Sequence, residues 1–378
     1  MTNRRRVLKA VVIGGVAASA GASRFVVAQT PRVFRLGLSA PITGDQAQYG
    51  ADFRRGVELA VEQINAGNLA PGFRFEVVVE DSKSDPKEAA NVAQKFASSK
   101  SVAAVVGDFS STACLAAAPI YQRAGIVMLT PTASHPDITK TGDYIFRNTP
   151  IAIFESNVVA DWATKDMKAK RVALIGRNDD FGRVQSDFLG TRSKGNGAEV
   201  VATEYINAAD KDFKPVITKL RAVNPEVTYL SMFQVEAALL MQQAREMGFK
   251  TTFMSGASLF NPQLINLAGD SANGLLLVSS YYSGDGNPKV QAFVKEFQAK
   301  YNLTPSKFSA HSYEAALMIA DAVKRAGSGD ADKVRAALAA TKDYNGVIGK
   351  LSLDAGREVV LNLQRLQVSN KEFVPWKG

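Results

Sequence analysis

The sequence is poor in the residues that form disulfides and metal sites. Its 378 residues include one cysteine, Cys114, and two histidines, His135 and His311. A single cysteine excludes an intrachain disulfide and a thiolate metal cluster, and two histidines make a histidine-based metal site improbable. We therefore expect neither a metal nor a cofactor. We predict that Cys114 is inert on a buried helix face, His135 lies in a loop at a strand end, and His311 lies on a helix surface or cleft wall.

The sequence also lacks the catalytic motifs of the common enzyme classes. It contains no G-x-S-x-G elbow, no H-E-x-x-H, no Walker loop and no G-x-G-x-x-G after the first predicted strand. Asp180-Phe181-Gly182 spells a kinase tripeptide, but the other kinase loops are absent. We therefore expect a protein that is not an enzyme, with an exported α/β enzyme as one alternative.

The positive charge is concentrated at the N-terminus. The net charge is +9, and the first 28 residues hold five basic residues and no acidic one, which leaves +4 on the other 350. So small an excess argues against a nucleic-acid binder. Hydrophobic residues make up 46% and charged residues 21%, a composition that excludes wholesale disorder.

Residues 1–28 have the layout of an export signal. A basic start with Arg4-Arg5-Arg6 precedes the apolar stretch Ala10–Ala22, and Val26-Val27-Ala28 resembles a cleavage site. The arginines resemble the twin-arginine signal, with an ordinary secretory signal as the alternative. No later stretch approaches 18 apolar residues. We therefore predict a soluble mature protein that is exported from the cytoplasm.

From residue 33 onward, short β-branched runs alternate with helical periods. The first pairs are a strand at Val33–Ser39 with a helix at 52–65, and a strand at Phe73–Glu80 with a helix opening at Pro86. A second such series follows Pro150, and the last third returns both helices and strands. The alternation predicts an α/β fold with two parallel-sheet lobes. We expect one lobe from 31–150 with 282–360, the other from 151–281 with 361–378, and a hinge made by several chain crossings.

Small hydroxyl residues follow two consecutive predicted strands. Ser110 and Ser111 come after the strand Val102–Val106, and Thr132 and Ser134 come after the next strand. Ligands of open α/β sheets bind at the carboxyl ends of strands, and free amides at a helix N-terminus attract anions. We predict a carboxylate site here, although these serines could serve only as helix caps.

At these residues the sequence resembles the type I periplasmic binding proteins of ABC importers, in the branched-chain amino acid group. The resemblance covers nearly the whole chain after the export signal and rests on the order and spacing of many short motifs. They are Leu36–Gly44, Gln48–Gly50, Ala60–Asn65, Asp81 with Asp85-Pro86, Ser110-Ser111, Leu129–Ser134, Asp180–Gly182, Asp212-Phe213 and Gln243–Gly248. The resemblance implies two Rossmann-like lobes that close on a ligand like a clamshell.

The resemblance also implies which residues surround the ligand. Tyr49, Ser111, Ala133 and Ser134 correspond to positions around the carboxylate and first carbon of the ligand. Phe181 and Phe233 correspond to frequent tyrosines on the opposing lobe, and Phe308 corresponds to an aromatic wall of the side-chain pocket. Ser84 and Ser110 stand where some members form a disulfide.

One position departs from the family pattern. Ala257 stands where amino-acid binders typically carry the glutamate that pairs with the ligand ammonium, and Ala152 replaces a second acid. A buried ammonium without a counter-charge costs about 3–5 kcal/mol. Either another acid substitutes or the ligand has no ammonium; the candidate acids are Asp108, Asp179, Asp180 and Glu236.

The ligand favoured by the sequence is a small carboxylate with an apolar or aromatic body. The alternative is an amino acid, either leucine, isoleucine or valine or an aromatic one. The implied partner is a cognate ABC permease in the inner membrane, and we expect a monomer. A ligand sensor with the same fold is the remaining alternative, since sequence does not separate import from sensing.

Overall fold

The computed structural model describes residues 30–378, so the predicted export signal at 1–28 lies outside the described residues. The strands are β1 (Arg32–Ala40), β2 (Phe73–Asp81), β3 (Ala104–Val106), β4 (Val127–Thr130), β5 (Ile145–Arg147), β6 (Arg171–Arg177), β7 (Glu199–Ile206), β8 (Val227–Ser231), β9 (Thr252–Ser255), β10 (Leu276–Ser279), β11 (Tyr344–Gly346), β12 (Gly349–Leu351), β13 (Gln364–Ser369) and β14 (Glu372–Pro375). The α-helices are α1 (Ala47–Ala66), α2 (Pro86–Ser99), α3 (Ser111–Ala124), α4 (Asp137–Lys140), α5 (Ala152–Asp161), α6 (Asp180–Gly195), α7 (Lys214–Val223), α8 (Gln234–Glu246), α9 (Pro262–Ala268), α10 (Pro288–Tyr301), α11 (Lys307–Ala326) and α12 (Ala331–Ala339). A π-helical turn at Trp162–Asp166 extends α5.

The first lobe is built on a five-stranded parallel sheet with the order β2-β1-β3-β4-β5. Every residue of β3 and β4 is buried, because helices cover both faces of this sheet. Helices α10 to α12 return from late in the chain to pack on this lobe, and Phe293 of α10 contacts Tyr313 of α11.

The second lobe repeats the same arrangement. Its parallel strands run β7-β6-β8-β9-β10, and β13 and β14 extend the edge in antiparallel pairing. In both lobes the strand order reverses beside the first strand of the unit, so each sheet has a crevice at the carboxyl ends of its strands. These crevices face each other, as the contacts across the cleft described below require.

The predicted α/β fold with two parallel-sheet lobes is confirmed. The sheets divide along the chain as expected, with the first ending before residue 150 and the second formed by strands from 171–279 and 364–375. The residue-level lobe boundaries stay a prediction. Three segments connect the lobes, near residues 150, 280 and 360. Within residues 30–378, no helix is both long and apolar enough to cross a membrane.

Local sequence signals account for several helix starts. Asp85 caps α2 by accepting hydrogen bonds from the amides of Lys87 and Glu88, and Pro86 occupies the first turn as predicted. Helix α1 begins at Ala47, earlier than predicted, and its Gly50 lies against the loop after β1. A Cβ on Gly50 would lie 1.8 Å from the carbonyl oxygen of Pro41, so this close approach requires glycine.

Two of the predictions for single residues have clear outcomes. Cys114 is buried on α3, which confirms the predicted buried helix position, and burial raises the pKa of its thiol to about 12, as suits an unreactive thiol. The placement of His311 on a helix surface or cleft wall was wrong. His311 is completely buried and hydrogen-bonds Ser280 and the carbonyl of Asn148, and burial holds its pKa well below the usual value. It therefore joins α11 to two of the connecting segments.

Candidate functional site

A cavity lies between the two lobes, at the carboxyl ends of the strands. The loops after β3 and β4 reach it from the first lobe, and those after β6, β8 and β9 reach it from the second. Its lining consists of Phe109, Ser110, Ser111, Thr132, Ala133, Ser134, Thr149, Pro150, Glu155, Phe181, Phe233, Ser258, Lys307 and Phe308. Eight of the ten residues predicted for the site are among them.

Uncharged hydrogen-bond donors form the strand-end wall, which we define as Ser110, Ser111, Thr132, Ala133 and Ser134. Ser110 caps α3, and its hydroxyl oxygen accepts from the amide of Ala113 at 3.3 Å and from Ser84 at 2.8 Å. The Ser111 hydroxyl oxygen accepts from the amide of His135 at 3.3 Å. Both hydroxyls act as acceptors in these contacts, so their hydrogens remain free to bind an acceptor.

Backbone contacts hold the second loop of this wall in place. The Thr132 hydroxyl donates to the carbonyl of Phe109 at 2.9 Å, which ties the loop after β4 to the loop after β3. The carbonyl of Ser134 accepts from the amide of Ala152 at 2.9 Å. The loop is thereby also fixed to the first segment that connects the lobes. The predicted alternative, that these serines are only helix caps, fits Ser110 alone.

Phenylalanine rings from both lobes close the cavity. Phe181 and Phe233 of the second lobe stack with ring centroids 5.1 Å apart. Phe233 also meets Phe109 of the first lobe at 5.0 Å, and Phe308 lies 5.8 Å from Phe109. These rings give the cavity an apolar surface, which suits an apolar part of a ligand.

Two buried charged residues form the hinge wall, which we define as Glu155 and Lys307. Glu155 is in the first turn of α5, is 6% exposed and accepts a hydrogen bond from the Gln185 amide at 2.9 Å. Lys307 is the first residue of α11 and is 5% exposed. Burial lowers the pKa of the Lys307 ammonium, and the nearby Glu155 carboxylate opposes that shift.

Sequence analysis missed both residues of the hinge wall. Glu155 lies three residues after Ala152, the position where the family pattern has an acid, and this spacing places the two residues on one helix face. Lys307 precedes Phe308, which was assigned to the site. A search for charged side chains one helical turn away from Ala152 would have found Glu155, and a search one residue away from Phe308 would have found Lys307.

None of the four acids suggested as substitutes lines the cavity. Asp108 is buried and accepts from Ser39, Asp179 caps α6, Asp180 is exposed, and Glu236 pairs with Arg177. The acid that faces the cavity is Glu155. Each of the other carboxylates has a local partner or faces solvent, which explains why none reaches inward.

Tyr49 and Ala257 are the two predicted site residues that the structure places outside the lining. Tyr49 is buried behind Phe109, with ring centroids 4.3 Å apart, and its hydroxyl accepts from the amide of Gln234 at 3.0 Å. Ala257 is buried in a 3-10 turn next to Gly256. A Cβ on Gly256 would lie 1.9 Å from a carboxylate oxygen of Glu155, so glycine leaves the space that Glu155 occupies.

Further contacts join the lobes at the mouth of the cleft. Tyr49 and Gln234 belong to opposite lobes, so their hydrogen bond crosses the cleft. Arg177 of the second lobe pairs with Asp179 and Glu236, and its guanidinium faces the side-chain amide of Gln46 of the first lobe. The two lobes are thus held in a closed arrangement around the cavity.

Nothing in the described part of the chain groups three or more histidine, cysteine, aspartate or glutamate side chains as a metal site would. The hinge-wall carboxylate and ammonium and the strand-end donors are suited to polar recognition of a small molecule. A cavity between two hinged lobes is a common form of ligand site.

Comparisons with known proteins agree with this geometry. The family model for periplasmic binding proteins matches residues 33–371. A leucine-, isoleucine-, valine-, threonine- and alanine-binding protein of Pseudomonas aeruginosa is 31% identical over 321 residues, which is 85% of each chain.

Solved structures share the same fold. A leucine-binding protein of Thermotoga maritima matches with a TM-score of 0.85 and 27% identity, over 91% of this chain and 98% of that one. A branched-chain amino acid transporter substrate-binding protein of Streptococcus pneumoniae, in complex with isoleucine, matches with a TM-score of 0.84 and 29% identity over 90% and 98%. A solute-binding protein of Rhodopseudomonas palustris in complex with benzoate has a TM-score of 0.84 and covers 91% and 95%, but at 23% identity it shows the fold alone.

These relatives are solute-binding proteins and not enzymes, and the predicted resemblance is confirmed. The match extends over both lobes and over the loops that form the cavity. The chain belongs to the periplasmic binding protein family, in the branched-chain amino acid type of ABC-transporter binding proteins.

Proposed function

We propose that this protein captures a small carboxylate with an apolar or aromatic body by closure of its two lobes. The observation that carries the proposal is the single cavity in which uncharged donors of the first lobe face phenylalanine rings of both lobes. The donors suit a carboxylate, and the rings suit an apolar body.

The strand-end wall can hold a carboxylate without an arginine. The hydroxyls of Ser110, Ser111 and Ser134 converge with the N-terminal end of the 14-residue helix α3. A helix N-terminus carries partial positive charge and unpaired amides, which favour a bound anion. Hydrogen bonds to a charged group are about twice as strong as those between neutral groups.

Glu155 favours an α-amino acid over a carboxylate that lacks an amino group. The neutral residues Ala257 and Ala152 favour a ligand without an ammonium. Glu155 supplies a buried carboxylate in the cavity, with one oxygen held by Gln185 and the other available. The Pseudomonas aeruginosa relative is named for leucine, isoleucine, valine, threonine and alanine. An apolar or aromatic amino acid is therefore the second candidate, and the one that Glu155 supports.

Closure follows from contacts that the ligand gains only when the lobes meet. The first lobe binds the carboxylate at Ser111 and Ser134, and the second lobe then adds Phe181 and Phe233. A ligand shifts the open–closed equilibrium only by its difference in affinity for the two forms. The ligand therefore stabilises the closed form to the extent that these second-lobe contacts add binding energy.

The proposed partner is a cognate ABC permease in the inner membrane, which would recognise the outer rims of the closed lobes. We also propose export to the periplasm and a monomeric state. A sensor that signals to a membrane receptor is the alternative. Permease and ATPase genes beside this gene would favour import, and a receptor gene beside it would favour sensing.

Titration calorimetry of the purified protein tests the ligand class. Leucine and phenylalanine represent amino acids, and phenylpyruvate and 4-hydroxybenzoate represent carboxylates without an ammonium. Tight binding of any of the four supports the proposal, and preference for phenylalanine over phenylpyruvate supports the role of Glu155. Absence of binding to all four and to every other small carboxylate tried, diacids included, in protein first unfolded and refolded to remove bound ligand, would contradict it.

A further inference from the structure

Lys307 is a buried cation in the cavity wall without an acceptor of its own. Its side chain is about nineteen-twentieths buried, and it lines the cavity. Among residues 30–378, its ammonium has no hydrogen bond or ion pair within 4.0 Å; it lies 5.9 Å from the centre of the Phe308 ring and within the electrostatic influence of Glu155. A buried charge that remains unpaired is strongly destabilising. An acceptor from the ligand would relieve this cost.

The carboxylate of the ligand does not need Lys307. A carboxylate has about four lone-pair sites. The strand-end wall offers the hydroxyls of Ser110, Ser111 and Ser134 and the amides of Ser111 and Thr112, the first two of α3, which have no hydrogen-bond partner within the described chain. The donors of this wall are therefore sufficient in number to satisfy one carboxylate.

Lys307 enters the cavity from a different element, beside the apolar part of the site. It begins α11, and its neighbour Phe308 packs against Phe109 and Tyr49. One turn later, His311 binds the connecting segments through Asn148 and Ser280, which fixes the start of α11 at the hinge. The ammonium is therefore held by a rigid element and not on a mobile loop.

We propose that Lys307 is a specificity-determining residue that binds a second anionic group of the ligand, distinct from the carboxylate held by the strand-end wall. This inference rests on the proposed function. It narrows the ligand class to carboxylates whose apolar middle ends in a second acid, such as an amino dicarboxylate or a dicarboxylate. In such a ligand, one anionic group binds the donors of the strand-end wall and the other binds Lys307. An ammonium group, where the ligand has one, binds Glu155.

Matched ligand pairs test the proposal by calorimetry. Norvaline and glutamate differ by a terminal methyl group against a carboxylate, and hexanoate and adipate differ in the same way. We expect the wild-type protein to prefer the diacid of at least one pair by about 10- to 100-fold. Lys307→Met should reduce that preference at least tenfold, whereas Lys307→Arg should retain most of it.

Two controls separate this effect from damage to the fold. Lys324→Met changes an exposed lysine at the other end of α11 and should leave the preference as in the wild type. The melting temperature of each variant shows whether it is folded. A Lys307→Met variant that does not fold leaves the wild-type preference and the Lys307→Arg variant as the tests.

The other outcomes overturn one claim or the other. If the wild type binds the monoacids more tightly than the diacids, the claim that the ligand carries a second anionic group is wrong. If Lys307→Met weakens both members of a pair equally, Lys307 binds the first carboxylate and the proposal fails while the proposed function stands. If no carboxylate of either pair or of the calorimetric panel binds, the proposed function itself fails.

Discussion

The two polar walls of the cavity differ in charge and in where the chain places them. The strand-end wall consists of small uncharged side chains on loops that follow β3 and β4. The hinge wall consists of one buried acid and one buried base at the starts of α5 and α11. In the proposed function, the first wall binds the carboxylate of the ligand through neutral hydroxyl and amide donors.

The hinge wall, in contrast, can discriminate between ligands. A neutral donor that loses its partner costs about 1–3 kcal/mol, whereas breaking a buried charge pair costs about 3–5 kcal/mol. A ligand that fails to match Glu155 or Lys307 therefore loses more binding energy than one that fits the strand-end wall imperfectly. We infer that the strand-end wall supplies general affinity and the hinge wall supplies specificity.

The largest expected effect is at Glu155. Glu155→Gln removes the charge but keeps an oxygen that can accept from Gln185. Phenylalanine should bind about 100-fold or more weakly, because its ammonium loses its counter-charge. Phenylpyruvate should lose much less. Calorimetry with both ligands measures the difference.

The control for this variant is Glu246→Gln, which removes an exposed acid at the end of α8. It should bind both ligands as the wild type does. Equal losses for phenylalanine and phenylpyruvate in Glu155→Gln would mean that Glu155 supports the fold of the site and does not contact an ammonium.

A smaller, ligand-independent effect is expected at Ser111. Ser111→Ala removes one donor to the carboxylate, so affinity should fall by about 1–3 kcal/mol, or roughly 5- to 150-fold. The loss should be similar for ligands with and without an amino group. Ser98→Ala, on the exposed end of α2, is the matched control. An unchanged Kd for Ser111→Ala would remove Ser111 from the site.

The contact across the cleft at Tyr49 should have a weaker effect. Tyr49→Phe removes the hydroxyl that accepts from the amide of Gln234, at about 0.5–1.5 kcal/mol. All ligands should bind about 2- to 10-fold more weakly, since only the closed form is affected. Small-angle scattering should show a larger open fraction at subsaturating ligand. Tyr205→Phe, away from the cleft, is the control, and an equal change in both variants would refute the role of Tyr49.

The smallest expected effect is on the pH dependence of stability and concerns Asp52. The carboxylate of this buried residue, unlike that of Glu155, has its hydrogen bonds satisfied within the protein. Asp52 accepts from Ser306, Asn261 and Arg55, and burial raises its pKa to about 6. Between about pH 4 and 6 the folded state holds a proton that the unfolded state has lost. The contribution of Asp52 to stability therefore rises as the pH falls from 7 through 6.

Asp52→Asn should remove this contribution. When the pH is lowered from 7 to 5, the melting temperature of the variant should rise less, or fall more, than that of the wild type. The difference should be about 2–4 °C for each kcal/mol of stability that Asp52 contributes at the lower pH. Thermal melts of both proteins at the two pH values measure it. Identical pH dependence would show that the carboxyl of Asp52 does not titrate in this range.

The strand-end wall was predictable from sequence, and the hinge wall was not. Hydroxyl residues after two consecutive parallel strands must meet at one sheet edge, so Ser111 and Ser134 follow from a local pattern and a general rule. Glu155 and Lys307 are 152 positions apart, and only the return of α11 to the first lobe brings them together. Neither lies at a strand end.

The same contrast holds for the fold. The long helices and the strands β1 and β2 were predicted because their patterns extend over many residues. The strands β5, β9, β11 and β14 have three or four residues each and were not predicted, whereas β3, which is as short, was predicted because it lies in the valine-rich run Val102–Val106. His311 was misplaced because a single histidine among helical neighbours does not reveal which face the other segments cover.

The most direct test of the account is a crystal structure of the protein with the ligand that it carries when purified, identified first by mass spectrometry. We predict a carboxylate of the ligand within hydrogen-bond distance of Ser111 and Ser134, and an apolar body against Phe181 and Phe233. A ligand without a carboxylate, or one bound outside the cavity between the lobes, would contradict it.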